Sequence, residues 1–267
     1  MKKVIKVVLI VITIPVLLIF ALFLYAAIKA LVFISHFKAE STNPVIGDLG
    51  GVSVAIPRVF TRFVEYDADP HFMEKKEWSK PERTLQSKLR GFGFEVRYPD
   101  MASVDVKTQE EKNIRTTMWM YVSVTTGEHY GVDHYLDKKK SNVLASKDRP
   151  CYKKCFIYEP LPSKTYGLIG YTPTGSGVDV AGRSINFGRG TDLRDRNVYY
   201  FLNEFDQVTT FIECGNRTHA AELCVQYFNL NPVMKAHIKV DYRKELLPHW
   251  QEIQQSVTEL IYNFEAN

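Results

Sequence analysis

Residues 198–242, VYYFLNEFDQVTTFIECGNRTHAAELCVQYFNLNPVMKAHIKVDY, decide the fold of this chain. They contain short apolar runs rich in β-branched and aromatic residues, and Gly, Asn, Asp or Pro separates each run from the next. This pattern is typical of consecutive antiparallel strands. It predicts a β-meander with strands at Val198–Leu202, Val208–Cys214, Cys224–Leu230 and Met234–Tyr242, preceded by a strand at Tyr166–Tyr171.

An amphipathic stretch follows the meander. Apolar residues recur every three or four positions from Leu246 to Phe264, and Pro248 stands in the first turn. A long helix in this place would cover one face of the meander. We therefore expect an α+β fold in which antiparallel sheets dominate, helices are few and a long C-terminal amphipathic helix packs on the sheet.

The first half of the chain is predicted to fold as a separate α+β lobe. Its strongest strand signal is TTMWMYVSVTT, residues 116–126. A capping-box pattern that starts at Ser79, with Leu85 and Leu89 on one face, predicts a helix that Gly91 ends. Strands are also expected at Val52–Ile56, Phe63–Tyr66 and Phe94–Tyr98, and the two lobes are expected to span residues 51–149 and 150–267.

The amino-terminal segment is predicted to anchor the chain in a membrane. Val7 to Ile28 are 22 consecutive uncharged residues, and a helix of that length spans a hydrocarbon core of about 30 Å. A cleaved signal peptide is the alternative, but its apolar region is usually about 7–15 residues long and ends in a small-x-small site. We expect an anchor at residues 1–38, with residues 7–34 in contact with the lipid bilayer, and a linker at 39–50.

The charge of the chain is concentrated at its membrane end. The formal net charge is +4, from 34 basic and 30 acidic residues. Five lysines precede Glu40, the first acidic residue, so residues 39–267 carry 29 basic and 30 acidic side chains. A neutral domain lacks the basic face that binds phosphates, so we expect no nucleic-acid partner. Three of those lysines precede the apolar run and two follow it, which favours a cytoplasmic amino terminus and an exported main domain.

The four cysteines, Cys151, Cys155, Cys214 and Cys224, all lie in the exported part. An even number of cysteines there permits two disulfides, in any of three connectivities. A local Cys214–Cys224 bridge would contribute roughly 3 kcal/mol through loop entropy. A zinc site at Cys151 and Cys155 is disfavoured, because zinc needs about four ligands and no histidine lies near that pair.

Catalytic motifs are missing from the sequence. The stretch GYTPTGSG at residues 170–177 lacks the spacing of a phosphate-binding loop or a nucleophile elbow and is predicted to be a loop. Asp67-Ala68-Asp69 has the Asp-x-Asp form that holds a divalent cation in glycosyltransferases, but acidic residues before a proline are ordinary turn residues. His129 and His134 have only Asp133 nearby. We expect no enzyme activity, no metal and no cofactor, so binding is the default function.

Four stretches of the sequence resemble a known group of proteins. They are GGVSVAIPRVFTRFVEYDADP (50–70), RTLQSKLRGFGFEVRYPDM (83–101), TTMWMYVSV (116–124) and IKVDYRKELLPHWQEIQQSVTELIYNF (238–264). Together they resemble periplasmic or inner-membrane-anchored bacterial immunity proteins encoded beside type VI secretion effectors, often phospholipases. The resemblance implies a periplasmic domain that blocks an incoming toxin by covering its active site or substrate entrance.

Loops are the expected contact segments with such a toxin, because the strands and the helix are needed for packing. Two other functions stay open: a single-pass enzyme of glycosyltransferase type, whose activity would depend on Asp67 and Asp69, and a structural accessory subunit of an envelope complex. The candidate contact residues are an acidic tract, Glu65, Asp67 and Asp69, and a basic loop, Arg183, Arg189, Arg194 and Arg196.

Overall fold

The computed structural model describes residues 43–67, 69–70, 81–104, 108–110, 112–114, 117–131, 134–144, 155–178, 183–186, 196–216 and 222–266. The predicted anchor at residues 1–38 therefore lies outside the described residues. Contacts divide the chain into two compact units, Met1–Pro44 and Val45–Asn267, and the second contains every element below. Among the helices of the described ranges, none is long and apolar enough to cross a membrane.

The described residues form thirteen strands and two α-helices. Short 3₁₀ turns at Arg58–Phe60, Gly127–His129 and Lys244–His249 connect some of them. In chain order the elements are β1 Val45–Leu49, β2 Val52–Ile56, β3 Arg62–Tyr66, β4 Leu89–Arg97, β5 Ala102–Ser103, β6 Trp119–Thr125, α1 Tyr135–Leu144, β7 Cys155–Pro160, β8 Ile169–Val178, β9 Ser184–Asn186, β10 Arg196–Leu202, β11 Val208–Gly215, β12 Leu223–Asn229, β13 His237–Arg243 and α2 Trp250–Tyr262.

One large antiparallel sheet organises the domain. Its strand order is β3-β4-β6-β13-β12-β11-β10-β8-β7, with β5 paired to β4 and β9 paired to β8, while β1 and β2 form a separate hairpin. The run β10 to β13 is the predicted meander, and β13 pairs with β6, so the sheet continues across the predicted boundary at Pro150. The structure confirms a mostly antiparallel fold with few helices and a C-terminal helix.

Two hydrophobic cores lie on opposite faces of this sheet. The larger core contains residues of the hairpin, of the central strands and of α2, whose buried residues Trp250, Ile253, Val257 and Ile261 recur at helical spacing. The smaller core lies under α1. Successive residues of β10 face the two cores in turn. Tyr199 belongs to the larger core, whereas the residues directly before and after it belong to the smaller core, which also contains Leu136, Val208 and Phe211.

The centre of the larger core contains a hydrogen-bonded polar network. Tyr242 Oη donates to Gln226 Oε1 over 2.8 Å, and Gln226 Nε2 donates to the Trp250 carbonyl over 3.1 Å. Gln254 Oε1 accepts from Gln226 Nε2 and from Thr210 Oγ1. These bonds join α2 to β11, β12 and β13, and they satisfy polar groups that would otherwise be buried without partners.

The Cys214–Cys224 disulfide is confirmed. The two cysteines are directly paired residues of β11 and β12, and both are fully buried. Cys151 and the side chain of Cys155 lie outside the described part of the chain.

The predicted helix ending at Gly91 is wrong, because β4 begins at Leu89. Leu89 pairs with Tyr66 of β3, and the alternating residues Phe92, Phe94 and Val96 are buried in the larger core. The local capping pattern is overridden by the position of β4 between β3 and β6.

Two segments that were expected to be irregular are strands. The stretch at residues 170–177 is not a loop, since it belongs to β8, which pairs with β7, β9 and β10. Residues 45–49 of the predicted linker form β1, where Val45 and Leu49 are buried in the larger core. The domain therefore begins earlier than the sequence suggested, and the division into two lobes stays a prediction.

Candidate functional site

The candidate site lies at the β3 edge of the large sheet. We use the name edge segment for Arg58–Tyr66, which comprises a 3₁₀ turn and β3. Phe60 fixes the turn to the core, with its ring centroid 5.9 Å from that of Phe94 and 5.5 Å from that of Phe264. β3 is the end strand of the sheet order and pairs only with β4 in the part of the chain that the structure describes.

Two large apolar side chains of the edge segment face solvent. Phe63 is 81% exposed and Val59 is 57% exposed. Glu65, two residues after Phe63, is exposed as well, whereas Tyr66 is buried and Val64 packs against the larger core. The edge segment thus presents an aromatic ring and a carboxylate that the core does not use.

The backbone at Phe63 is strained. Its φ is 51°, in the left-handed region that costs a residue with a side chain about 1–2 kcal/mol. Arg62 pairs with Gly93 and Glu65 pairs with Gly91, so Phe63 and Val64 together lie opposite the single residue Phe92. This is a β-bulge, and bulges at sheet edges redirect side chains and end regular pairing.

The two aspartates of the Asp-x-Asp motif are paired within the protein. Asp69 forms an ion pair with Arg83 and accepts a hydrogen bond from the Tyr66 amide over 2.9 Å. Asp67 Oδ1 accepts from the Glu128 amide over 3.1 Å and lies 3.9 Å from Nε of Arg90, a guanidinium only 5% exposed. Each of these two carboxylates therefore already has an arginine partner within the fold.

Arg83 also packs over the Tyr66 ring, with 4.2 Å between its guanidinium carbon and the ring centroid. Burial raises the pKa of the Tyr66 hydroxyl, which donates a 2.7 Å hydrogen bond to the Ile46 carbonyl. The loop after β3 is therefore tied to β1 and β4, and of the acidic tract only Glu65 points away from the fold. Within the described ranges, no group of three His, Cys, Asp or Glu side chains is placed to hold a metal ion.

The basic loop is only partly described. Arg189 and Arg194 lie outside the described residues, and Arg183 is exposed. Arg196 begins β10, where its Nη1 lies 3.9 Å from Glu213 Oε2. Because β10 is six positions from β3 in the strand order, it lies about 29 Å away along the sheet at a strand spacing of about 4.8 Å. In the described residues, the strand that contains Glu65 and the strand that Arg196 begins are therefore not neighbours.

Two of the described histidines, His134 and His237, contact other residues of the fold. His237 lies between the rings of Tyr130 and Tyr135, with centroid distances of 4.3 and 4.7 Å, and its two ring nitrogens contact Asn229 Oδ1 and the Tyr130 carbonyl. His134 Nδ1 lies 3.9 Å from Asp137 in α1.

Other exposed apolar residues lie outside strands. Phe205, which is 73% exposed, lies in the β10–β11 turn, where its amide donates a 3.0 Å hydrogen bond to Asn203 Oδ1. Positive φ values at Met101, Tyr166 and Asp206 also fall between strands, where left-handed residues are common. Phe63 differs because it combines exposure with strain inside a strand.

The comparisons with known proteins concern the fold. A scan against protein-family models finds no match, and a search of curated proteins finds none either. Among solved structures, an immunity protein of the Stenotrophomonas maltophilia type IV secretion system matches with a TM-score of 0.53 and 15% identity. The match covers 85% of this chain and 94% of that chain. The iron-regulated outer membrane lipoprotein FrpD of Neisseria meningitidis matches with a TM-score of 0.43 and 9% identity, over 85% of this chain and 94% of that one.

The chain therefore shares its fold with the Stenotrophomonas maltophilia immunity protein. The neighbour belongs to a type IV system, whereas the sequence resemblance pointed to type VI. The assignments to type VI and to a phospholipase stay predictions.

Phe63 was missed as a site residue. Alternation along the strand RFVEY already places Phe63 on the same face as Glu65, and this pattern could have shown that an aromatic ring lies beside a carboxylate on the outer face of the strand. The bulge and the positive φ at Phe63 could not be predicted from the sequence.

Proposed function

We propose that the chain is a membrane-anchored periplasmic immunity protein that binds and inhibits a secreted toxin. The observation that carries the proposal is the fold shared with a secretion-system immunity protein over 85% of this chain. A shared fold alone does not determine function, so the site must support it as well. The edge segment does so, because it offers an exposed aromatic and a carboxylate on a rigid framework, as a protein-binding surface requires.

The finer parts of the proposal rest on the sequence. Resemblance to immunity proteins encoded beside type VI effectors supports a type VI toxin. Because those effectors are often phospholipases, the resemblance also supports a phospholipase as the toxin. The apolar run from Val7 to Ile28 supports an inner-membrane anchor with the main domain in the periplasm. A buried disulfide suits that oxidising compartment. A tether also raises the local concentration of an inhibitor where a lipase acts.

The glycosyltransferase-type alternative receives less support than toxin binding. A glycosyltransferase-type enzyme would need Asp67 and Asp69 for a cation, but Arg83 and Arg90 neutralise these carboxylates. An accessory subunit of an envelope complex would bind several envelope components instead of one toxin.

Co-expression tests the proposal. The full chain is co-expressed in turn with each secreted effector that is encoded beside the gene of the chain. Each effector is exported to the periplasm. We expect one effector to become non-toxic and to co-purify with the chain. The proposal fails if no effector is neutralised, and recovery of several envelope components without any effector would favour the accessory subunit.

A further inference from the structure

We propose that Phe63 is the anchor that the chain inserts into an apolar pocket of its toxin, with Glu65 meeting a basic group at the rim of that pocket. This inference rests on the proposed function and names the contact surface for it. Four observations about the edge segment support it.

First, the fold does not use the Phe63 ring. The ring is almost fully exposed, and the aromatic contacts of the edge segment are made by Phe60 instead. A phenylalanine in the left-handed region of the backbone is unfavourable, and glycine or asparagine would adopt that conformation more readily. Strain at an exposed residue with no packing role points to a use outside the fold.

Second, the residues around Phe63 hold it in a defined position. Arg62 Nη1 forms a 2.7 Å ion pair with Glu95, and Val64 packs against the larger core. Tyr66 closes the strand with its hydrogen bond to the Ile46 carbonyl. A side chain presented on such a framework loses little freedom on binding, and that favours high affinity.

Third, the bulge favours insertion of the ring into a pocket over addition of a partner strand to the sheet edge. A partner that adds a strand to a sheet needs a regular row of free backbone groups along the edge. The register shift between Arg62 and Glu65 interrupts that row, as in edges that resist pairing with other strands. A protruding ring on an irregular edge fits a concave pocket, and the clefts of enzymes are mostly apolar pockets with a few polar groups.

Fourth, the charge beside the ring is available to a partner. Among the described residues, the Glu65 carboxylate has no recorded hydrogen bond or ion pair, whereas Asp67 and Asp69 are engaged by Arg90 and Arg83. A single free carboxylate next to an apolar anchor complements an apolar pocket with a cation at its rim.

The test uses full-chain variants against the effector that the wild-type chain neutralises. Phe63→Asn removes the ring but keeps a residue that tolerates a positive φ. Phe205→Ser is the matched control, since it removes a similarly exposed ring from a turn far from β3 in the strand order. Phe63→Trp retains an aromatic anchor. Dissociation constants are measured with detergent-solubilised chain, and protection is measured by survival of cells that express the effector.

We expect Phe63→Asn to weaken binding about 30-fold or more, as loss of a hot-spot aromatic does. Phe205→Ser and Phe63→Trp are expected to remain within about threefold of wild type, and Glu65→Gln to weaken binding about three- to tenfold. Equal thermal midpoints for Phe63→Asn and wild type show that the variant is folded.

Three other results of this experiment would each contradict a specific claim. If the wild-type chain neutralises no effector, the proposed function fails. If it does and Phe63→Asn protects equally well, the inference about Phe63 fails while the proposed function stands. If Phe63→Asn abolishes only self-association of the chain, the edge segment is a contact between copies and the inference also fails.

Discussion

The centre of the sheet and its β3 edge use their side chains in opposite ways. At the centre, Thr210, Gln226, Tyr242 and Gln254 are joined by hydrogen bonds inside a packed core, and the Cys214–Cys224 bridge lies beside them. At the edge, a strained strand holds an aromatic ring in solvent. The packed centre stabilises the domain, whereas the partner binding that we propose uses a separate part, so changes to each part should affect different measurements.

Alkaline pH is expected to have the largest effect on stability, because among the described residues eight tyrosines have a raised pKa in the folded protein. Burial is the first cause at every one of them, and together with a side-chain hydrogen bond to Tyr171 it raises the pKa of Tyr200 to about 12. Above pH 10 the unfolded chain loses these protons while the folded chain keeps them. The eight are Tyr66, Tyr98, Tyr135, Tyr199, Tyr200, Tyr227, Tyr242 and Tyr262.

The folded state therefore binds more protons than the unfolded state, and the free energy of unfolding falls as the pH rises from 10 towards 12. Lys139 acts in the opposite direction, since burial lowers its pKa, but in the part of the chain that the structure describes it is one group against eight. Denaturant titrations between pH 8 and 11.5, with tyrosinate absorbance followed in parallel, check this expectation. An unchanged free energy of unfolding across that range would contradict it.

Phe94→Ala tests the packed side of the comparison. Phe94 is fully buried, and its ring contacts those of Phe60, Phe92 and Phe264. We expect a loss of about 3–5 kcal/mol in the free energy of unfolding, because truncation removes buried area and leaves a cavity. Urea denaturation measures the loss, and a change below about 1 kcal/mol would show that this ring does not support the core.

Removal of the Cys214–Cys224 bridge is expected to have a smaller effect. A bridge that closes a loop of this length contributes about 3 kcal/mol through the entropy of the unfolded chain. We expect the Cys214→Ala, Cys224→Ala double variant to lose roughly that amount. Denaturation of the oxidised wild type and the double variant under the same conditions gives the difference, and equal midpoints would refute a stabilising role.

The central strands and α2 could be predicted from sequence because their signals are local. Alternation of apolar residues and turn residues between strands mark the meander, and the three-to-four spacing marks α2. The predicted helix before Gly91 failed because the pairing of β4 with β3 and β6 is non-local. α1 was missed because its sequence YLDKKKSNVL is dominated by charge, and Lys139 packs over the ring of Tyr227 at 3.7 Å.

The candidate site was predictable only in part. Sequence placed Glu65 in an acidic tract, but the partners of Asp67 and Asp69, which are Arg90 and Arg83, lie more than ten residues away along the chain. Their pairing depends on the turn after β3 and on the start of β4. The tract therefore contains two structural carboxylates and one that is available to a partner.

Phe63→Gly is expected to have the smallest effect on stability. Glycine adopts a φ of 51° without strain, and this stabilises the folded chain. Glycine also gives the unfolded chain more conformational freedom, which lowers stability, so the two effects oppose each other. We expect the free energy of unfolding to stay within about 1 kcal/mol of wild type, in contrast to Phe94→Ala. A loss of about 3 kcal/mol or more would show that the fold uses the Phe63 ring after all, and would remove the distinction between edge and centre.

Amide hydrogen exchange of the full chain, with and without the effector that it neutralises, tests the central claim most directly. We expect the effector to slow exchange in the edge segment, Arg58–Tyr66, and to leave exchange in the β10–β11 turn at residues 203–207 unchanged. Slowed exchange elsewhere, with none in the edge segment, would contradict it.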